Sequence, residues 1–249
     1  MNLMPFSTER ATMKVDLTSR NHALISISKN SEQIITLDAN FLIPPNRSRH
    51  TKRGFDFPQF RETWLNPIFT AFPKLAIHEA VYDELISPPV QVYVQAMISN
   101  IPPRLVIHKD STLTAEEKVI RDTIEEKISP LTKYSPLINN KEDRGEVKSL
   151  AYIAVKGLLY FAAHDSIAIQ LIEKAEKWST GLDNVHAIKM YELLFYLYKT
   201  GFGDNKSLKM LYKYQYYLTS KEKDMNPQWG QFTDAMEALY GATLYGARS

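Results

Sequence analysis

The sequence predicts an α/β protein: a parallel sheet covered on both faces by helices, with a helical extension at the C-terminus. Three observations carry this expectation. Short apolar, β-branched runs alternate with helix-period segments across residues 34–188, the pattern of strands joined by helical crossovers. Two of those runs end in an acid, Asp38 and Asp165, and in open α/β sheets ligands bind beyond the carboxyl ends of the strands. After residue 204 the strand-like runs stop, and Tyr212, Phe232, Met236 and Tyr240 follow helical spacing.

Composition sets the bounds. A chain of 249 residues accommodates one large α/β domain or one domain with an appendage. The division read from the chain is a lead-in segment (1–32), an α/β domain (33–204) and a helical extension (205–249). An apolar fraction of 44% is that of a globular protein and excludes disorder of the whole chain. Thirty basic and 28 acidic residues nearly cancel, so only a local patch can speak for nucleic acid. The absence of cysteine removes disulfides, thiolate metal sites and cysteine nucleophiles, and fits a reducing cytoplasm. The N-terminus has no apolar core of a signal peptide. The longest apolar runs, GLLYFAA and LLFYLY, are too short to span a bilayer. A cytoplasmic protein without a membrane partner is expected.

Taken in order, HALISIS (22–28) suggests a short edge strand. IITLD (34–38) is a buried strand with Asp38 at its carboxyl end. NRSRHTKRGFD (46–56) is a loop carrying Arg47, Arg49, Lys52 and Arg53 around His50, the densest basic cluster in the chain; an isolated cluster of this kind is more often just a solvated loop. Phe60, Trp64, Ile68 and Phe72 recur every four residues and predict a helix, kinked or broken at Pro67. KLAI (74–77) is a second strand and HEAVYDELI (78–86) a helix, interrupted by Pro88 and Pro89. The next segment alternates like a strand at QVYV, yet it must cross over to a third strand, RLVIH (104–108), so helix is favoured. Residues 112–129 form a helix opened by a Thr114–Glu117 capping box. A further helix starts near Arg144 and ends at Gly157. LLYFAA (158–163) is the fourth strand, SIAIQLIEKAEKW a helix, DNVHAI (183–188) a short fifth strand, and MYELLFYLYK a helix stopped at Gly201.

Four carboxylates stand out: Asp38 and Asp165 after strands, Glu84 and Glu146 on helices flanking strand ends. Gathered together they would repel one another unless a cation lay among them, and hard oxygen ligands suit Mg²⁺ or Mn²⁺. Each also has a structural reading. Asp143 and Glu146 have capping-box spacing, Asp165 suits an N-cap and Glu84 an exposed helix position. Asp38 is the hardest to explain structurally, because a carboxylate closing an apolar strand is costly without a partner.

LDANFLI (37–43), HEAVYDELI with Glu84, RGEVKSLAYIA with Glu146 and AAHDSIA with Asp165 follow one another as in the PIN domain, a metal-dependent nuclease fold that this chain resembles over about residues 33–190. The resemblance implies a three-layer α/β/α fold with sheet order 3-2-1-4-5. It implies a Mg²⁺- or Mn²⁺-dependent ribonuclease in which Asp38, Glu84, Glu146 and Asp165 hold one or two ions and a metal-activated water attacks the phosphodiester. Asn40 would orient Asp38 or a phosphate. Arg47, Arg49, Lys52 and Arg53 would grip the RNA backbone by charge, with Lys199, Lys206, Lys209 and Lys213 as the other basic source. Glu146 is preferred over Asp143 as the third acid. Single-stranded DNA is a second substrate class, and by analogy with bacterial toxins of this kind the partners implied include an antitoxin-like protein inhibitor and a second copy of the chain. The rival readings are a catalytically silent PIN-like module that binds RNA or protein, and another α/β phosphohydrolase. The last lacks a Gly-rich phosphate loop, an Asp-x-Asp pair at Asp38 and a G-x-S-x-G elbow.

Overall fold

The computed structural model describes residues 14–51, 54–164 and 166–244. At its centre lie five strands, β1 (Ile35–Leu37), β2 (Leu75–His78), β3 (Leu105–His108), β4 (Tyr160–Ala163) and β5 (His186–Lys189). All pair in parallel, in the order β3-β2-β1-β4-β5. This is the predicted topology, and it makes β1 and β4 neighbours, with Leu37 opposite Ala162. The order reverses direction at β1, so the carboxyl ends of β1 and β4 flank the crevice where such sheets receive ligands.

Alternation along the strands separates two cores. Ile35, Leu37, Leu75, Ile77, Tyr160, Ala162 and Ile188 face one cluster; Phe161, Ala163 and Ala187 face the other. The second cluster is covered by α6 (Ala115–Ile128), α7 (Arg144–Val155), α8 (Ser166–Glu173) and α9 (Ala175–Trp178). The first is covered by α1 (His22–Lys29), α2 (Phe57–Phe60), α3 (Asn66–Ala71), α4 (Glu79–Glu84), α5 (Pro88–Ser99) and α10 (Met190–Thr200), and also by the C-terminal α11 (Asn205–Tyr216) and α13 (Trp229–Leu244). A short α12 (Ser220–Met225) links the last two. The tyrosines and aromatics after residue 205 are therefore largely core: Tyr212 stacks on Phe232 at 4.5 Å, and Tyr216 meets Tyr191 edge-on.

Local chemistry explains where the expected elements shifted. Residues 22–28 are helix rather than edge strand. Asn21 caps α1 by accepting from Ala23 N–H, and Ala23, Leu24, Ile27 and Ser28 make one buried helical face; the alternating isoleucines hid that period. Pro67 does not break its helix. A π-turn at Arg61–Leu65 precedes it, closed by Asn66 N–H to Arg61 C=O, and it absorbs the missing proline donor. Pro88 and Pro89 begin α5 instead of ending α4. The capping box of α6 forms as predicted, with Thr114 and Glu117 bonded reciprocally. No helix among the described residues is long and apolar enough to cross a membrane.

Candidate metal centre

Asp38 follows β1 directly and is completely buried. Its backbone N–H donates to Ala162 C=O on β4 (3.0 Å), so the side chain starts from the seam of the two central strands. Oδ1 accepts from Ala39 N–H (2.8 Å) and thereby caps the 3-10 turn Ala39–Phe41; Oδ2 accepts from Asn40 Nδ2 (2.8 Å). The Asp-Ala-Asn sequence thus fixes its own carboxylate, and Asn40 is the orienting group.

Glu84 is the last residue of α4. Its Oε1 accepts from Gly145 N–H (2.9 Å) in the first turn of α7. The reason lies in α7's own cap. Asp143 sits in the left-handed region (φ 53°) and makes no capping bond; its Oδ2 turns outward to Lys133 N–H (2.9 Å). Asp143 and Glu146 therefore form no capping box, and a carboxylate from another helix serves the vacant amide. Residue 145 must be glycine for this: a Cβ there would stand 2.7 Å from Glu84 Oε1 and 3.0 Å from Val81 Cγ2. Glu146, the next residue, is buried on α7.

Asp38 and Glu84 interact directly through charge. Burial, then the Asp38 carboxylate, push the Glu84 carboxyl up from 4.5 to about 7, against the pull of Gly145 N–H and of Arg144. Arg144 itself pairs with the exposed Asp83 at 3.5 Å. No cation lies within ion-pair distance of Glu84 among the described residues. Asp165 lies outside the described residues. The residue before it, His164, accepts or donates at Nδ1 with Tyr216 Oη (3.0 Å), which ties α11 to the end of β4.

A second cluster went unnoticed in the sequence. His78 and His108 are the in-register last residues of β2 and β3, and the ligand atoms of His78, Glu79 and Asp110 lie within 4.8 Å of one another. Both ring nitrogens of His78 and both oxygens of Asp110 are already engaged within the fold. His78 Nδ1 accepts from Ala80 N–H (3.2 Å), which leaves Nε2 to donate to Asp110 Oδ1 (3.2 Å). Asp110 Oδ2 binds Arg121 (2.8 Å), and Glu79 Oε1 accepts from Asp110 N–H (2.9 Å). Burial opposes ionisation of Asp110, yet His78 and Arg121 together hold its carboxyl below the usual range.

The basic loop divides. Arg47 donates to the carbonyls of Tyr214 (3.3 Å) and Gln215 (3.1 Å) and pairs with the Glu222 carboxylate. It is a tether to the C-terminal helices rather than an open phosphate contact. Arg49 is exposed, and Lys52 and Arg53 lie outside the described residues. Comparison with known proteins finds no matching family model, no matching curated protein and no matching solved structure.

Proposed function

We propose that the chain is a Mg²⁺- or Mn²⁺-dependent ribonuclease of the PIN type. The observation that carries the reading is the Asp38–Glu84 pair: a fully buried and a half-buried carboxylate at the crevice of the sheet, close enough that the Asp38 charge adds to burial in pushing the Glu84 carboxyl up to about 7. A protein has little reason to hold such a pair unless a cation joins it. Asp38, Glu84, Glu146 and Asp165 would hold the ion or ions. A bound divalent ion there supplies a Lewis acid for the phosphodiester and lowers the pKa of water. The chain's own residues orient the ligands: Ala39 N–H and Asn40 fix both oxygens of Asp38, and Gly145 N–H fixes Glu84. The substrate is RNA, with single-stranded DNA as the comparison, and an inhibitor protein is the partner the PIN resemblance brings with it.

One observation favours the silent-module alternative: Glu84 makes the bond that a purely structural helix cap would make. Cleavage of RNA and of single-stranded DNA, with Mn²⁺ and with chelator, separates the two. Mn²⁺-dependent RNA cleavage lost in Asp38→Asn supports the nuclease. Purified protein that binds RNA without cleaving it under either condition supports the silent module.

A further inference from the structure

The nuclease reading leaves a physical problem: a cluster of carboxylates repels the polyanion it must receive. The loop after β1 was the expected remedy, but Arg47 faces inward. Its guanidinium holds the carbonyls of Tyr214 and Gln215 and the Glu222 carboxylate, and its backbone N–H donates to Tyr214 Oη (3.1 Å). Glu222 is buried and also accepts from Leu218 and Thr219 N–H (2.9 Å each). Phe55, at the loop's far end, meets Tyr214 edge-on at 5.3 Å. The loop and the end of α11 are thus one surface. The bond from Tyr216 to His164 places that end of α11 at the carboxyl end of β4, beside the strand that delivers Asp38.

The outer face of α11 carries Lys206, Lys209 and Lys213, at spacings of three and four that put them on one side of the helix. Leu208, Leu211 and Tyr212 bury the opposite side. All three lysines are exposed. Several lysines elsewhere in the fold are paired with carboxylates, among them Lys148 with Glu125, Lys156 with Glu117, Lys189 with Glu173 and Lys199 with Glu237. Lys206, Lys209 and Lys213 make no ion pair among the described residues. From the first to the last is about 10 Å along the helix axis.

We infer that the solvent face of α11, with Lys206, Lys209 and Lys213, is where the phosphates of an RNA strand lie as it enters the site, Arg49 extending the same surface. This rests on the nuclease reading, and its test is kept separate from catalysis. The measurement is the affinity of the full chain for fluorescein-labelled oligouridylate in chelator across a potassium chloride series. Replacing Lys206, Lys209 and Lys213 together by Ala should weaken binding and reduce the salt slope by about 2, the value for three lost single-strand phosphate contacts. Replacement by Arg should keep the wild-type slope, and oligodeoxyuridylate should show the same loss, because the grip is on phosphate. The changes are on exposed side chains, and an unchanged melting temperature confirms the fold. An unchanged slope in the Ala variant overturns the inference while leaving the nuclease reading in place if the wild type cleaves with Mn²⁺. A wild type that neither binds nor cleaves RNA overturns both. If the Ala variant loses affinity for polyglutamate but keeps its RNA slope, the face belongs to an acidic protein and the inference fails.

Discussion

The two carboxylate clusters at the ends of the strands use the same chemical groups and reach opposite electrostatic outcomes. Around Asp110, charge is balanced within the fold. Arg121 and His78 hold the carboxylate, and Arg121 also reaches Asp122 and Glu125, which in turn takes Lys148. Around Glu84, the near neighbours Asp38 and Asp143 are of its own sign, and Arg144 is drawn toward Asp83. The carboxyl of Asp110 is pushed down and that of Glu84 is pushed up. Proximity of acidic groups therefore does not identify an ion site. What distinguishes the Asp38–Glu84 pair is like charge held close together, which Arg144 and Gly145 N–H offset only in part.

The largest expected effect tests that distinction. Asp38→Asn should remove Mn²⁺-dependent cleavage to background and weaken Mn²⁺ binding, as read by activity and by titration calorimetry. In chelator its melting temperature should stay the same or rise, because one of two repelling charges is gone. A metal-free melting temperature that falls steeply would make Asp38 a structural acid and dissolve the contrast.

Gly145→Ala comes next. The added Cβ meets Glu84 Oε1 and Val81 Cγ2, so the Glu84 carboxylate and Val81 must give way, at a cost of about 1–3 kcal/mol. The Glu84–Gly145 bond is strained at the same time, and Mn²⁺ affinity should fall with stability. Retained affinity in a destabilised variant would remove Glu84 from the ligand set.

Asp110→Asn should do the reverse of Asp38→Asn. It leaves Arg121 and His78 with a weaker acceptor, and stability should drop by about 1–3 kcal/mol, read by urea unfolding, while Mn²⁺ affinity and cleavage stay as in the wild type. Loss of Mn²⁺ affinity here would move the ion to the histidine cluster.

The smallest effect is in pH. Between about pH 4.5 and 7 the folded chain keeps a proton on Glu84 that the unfolded chain has released. The folded state then binds more protons than the unfolded state, so the Glu84 contribution to stability is full below 4.5 and is lost as pH rises to about 7. Glu192, buried and also raised to about 7, adds a fall in the same window. His108, held at about 4 by burial and by His78, adds the opposite trend, losing stability as pH drops below 6.5. Comparing wild type with Glu84→Gln in chelator isolates the Glu84 contribution: the variant should gain stability relative to the wild type as pH rises from about 4.5 to 7. Parallel curves would show that Glu84 titrates normally. Mn²⁺ should compete with the same proton, so its apparent affinity in the wild type should weaken below about pH 7.

Much of this architecture was legible in the sequence, because the signals are local. A run such as IITL has strand period and strand length, and the box Thr114–Glu117 satisfies its own helix end. The acid that closes β1 could be named for the same reason: Asp38 directly follows the apolar run that places it. What could not be read depends on atoms far apart in the chain. Arg47 looked like a free cation because its partners, Glu222 and two carbonyls of α11, lie more than 160 residues away. Asp143 looked like the cap of α7 until a left-handed backbone turned its side chain to Lys133 and Glu84 took the amide. His78 and Asp110 met only because β2 and β3 pair in register. By itself the sequence determined most of the elements, their order and the acid that closes β1, since those follow from spacing along the chain. Only the tertiary structure decided which charges are neutralised and which are left facing one another, because compensation is a property of distance in space, and charges interact across a few ångströms regardless of how many residues separate them.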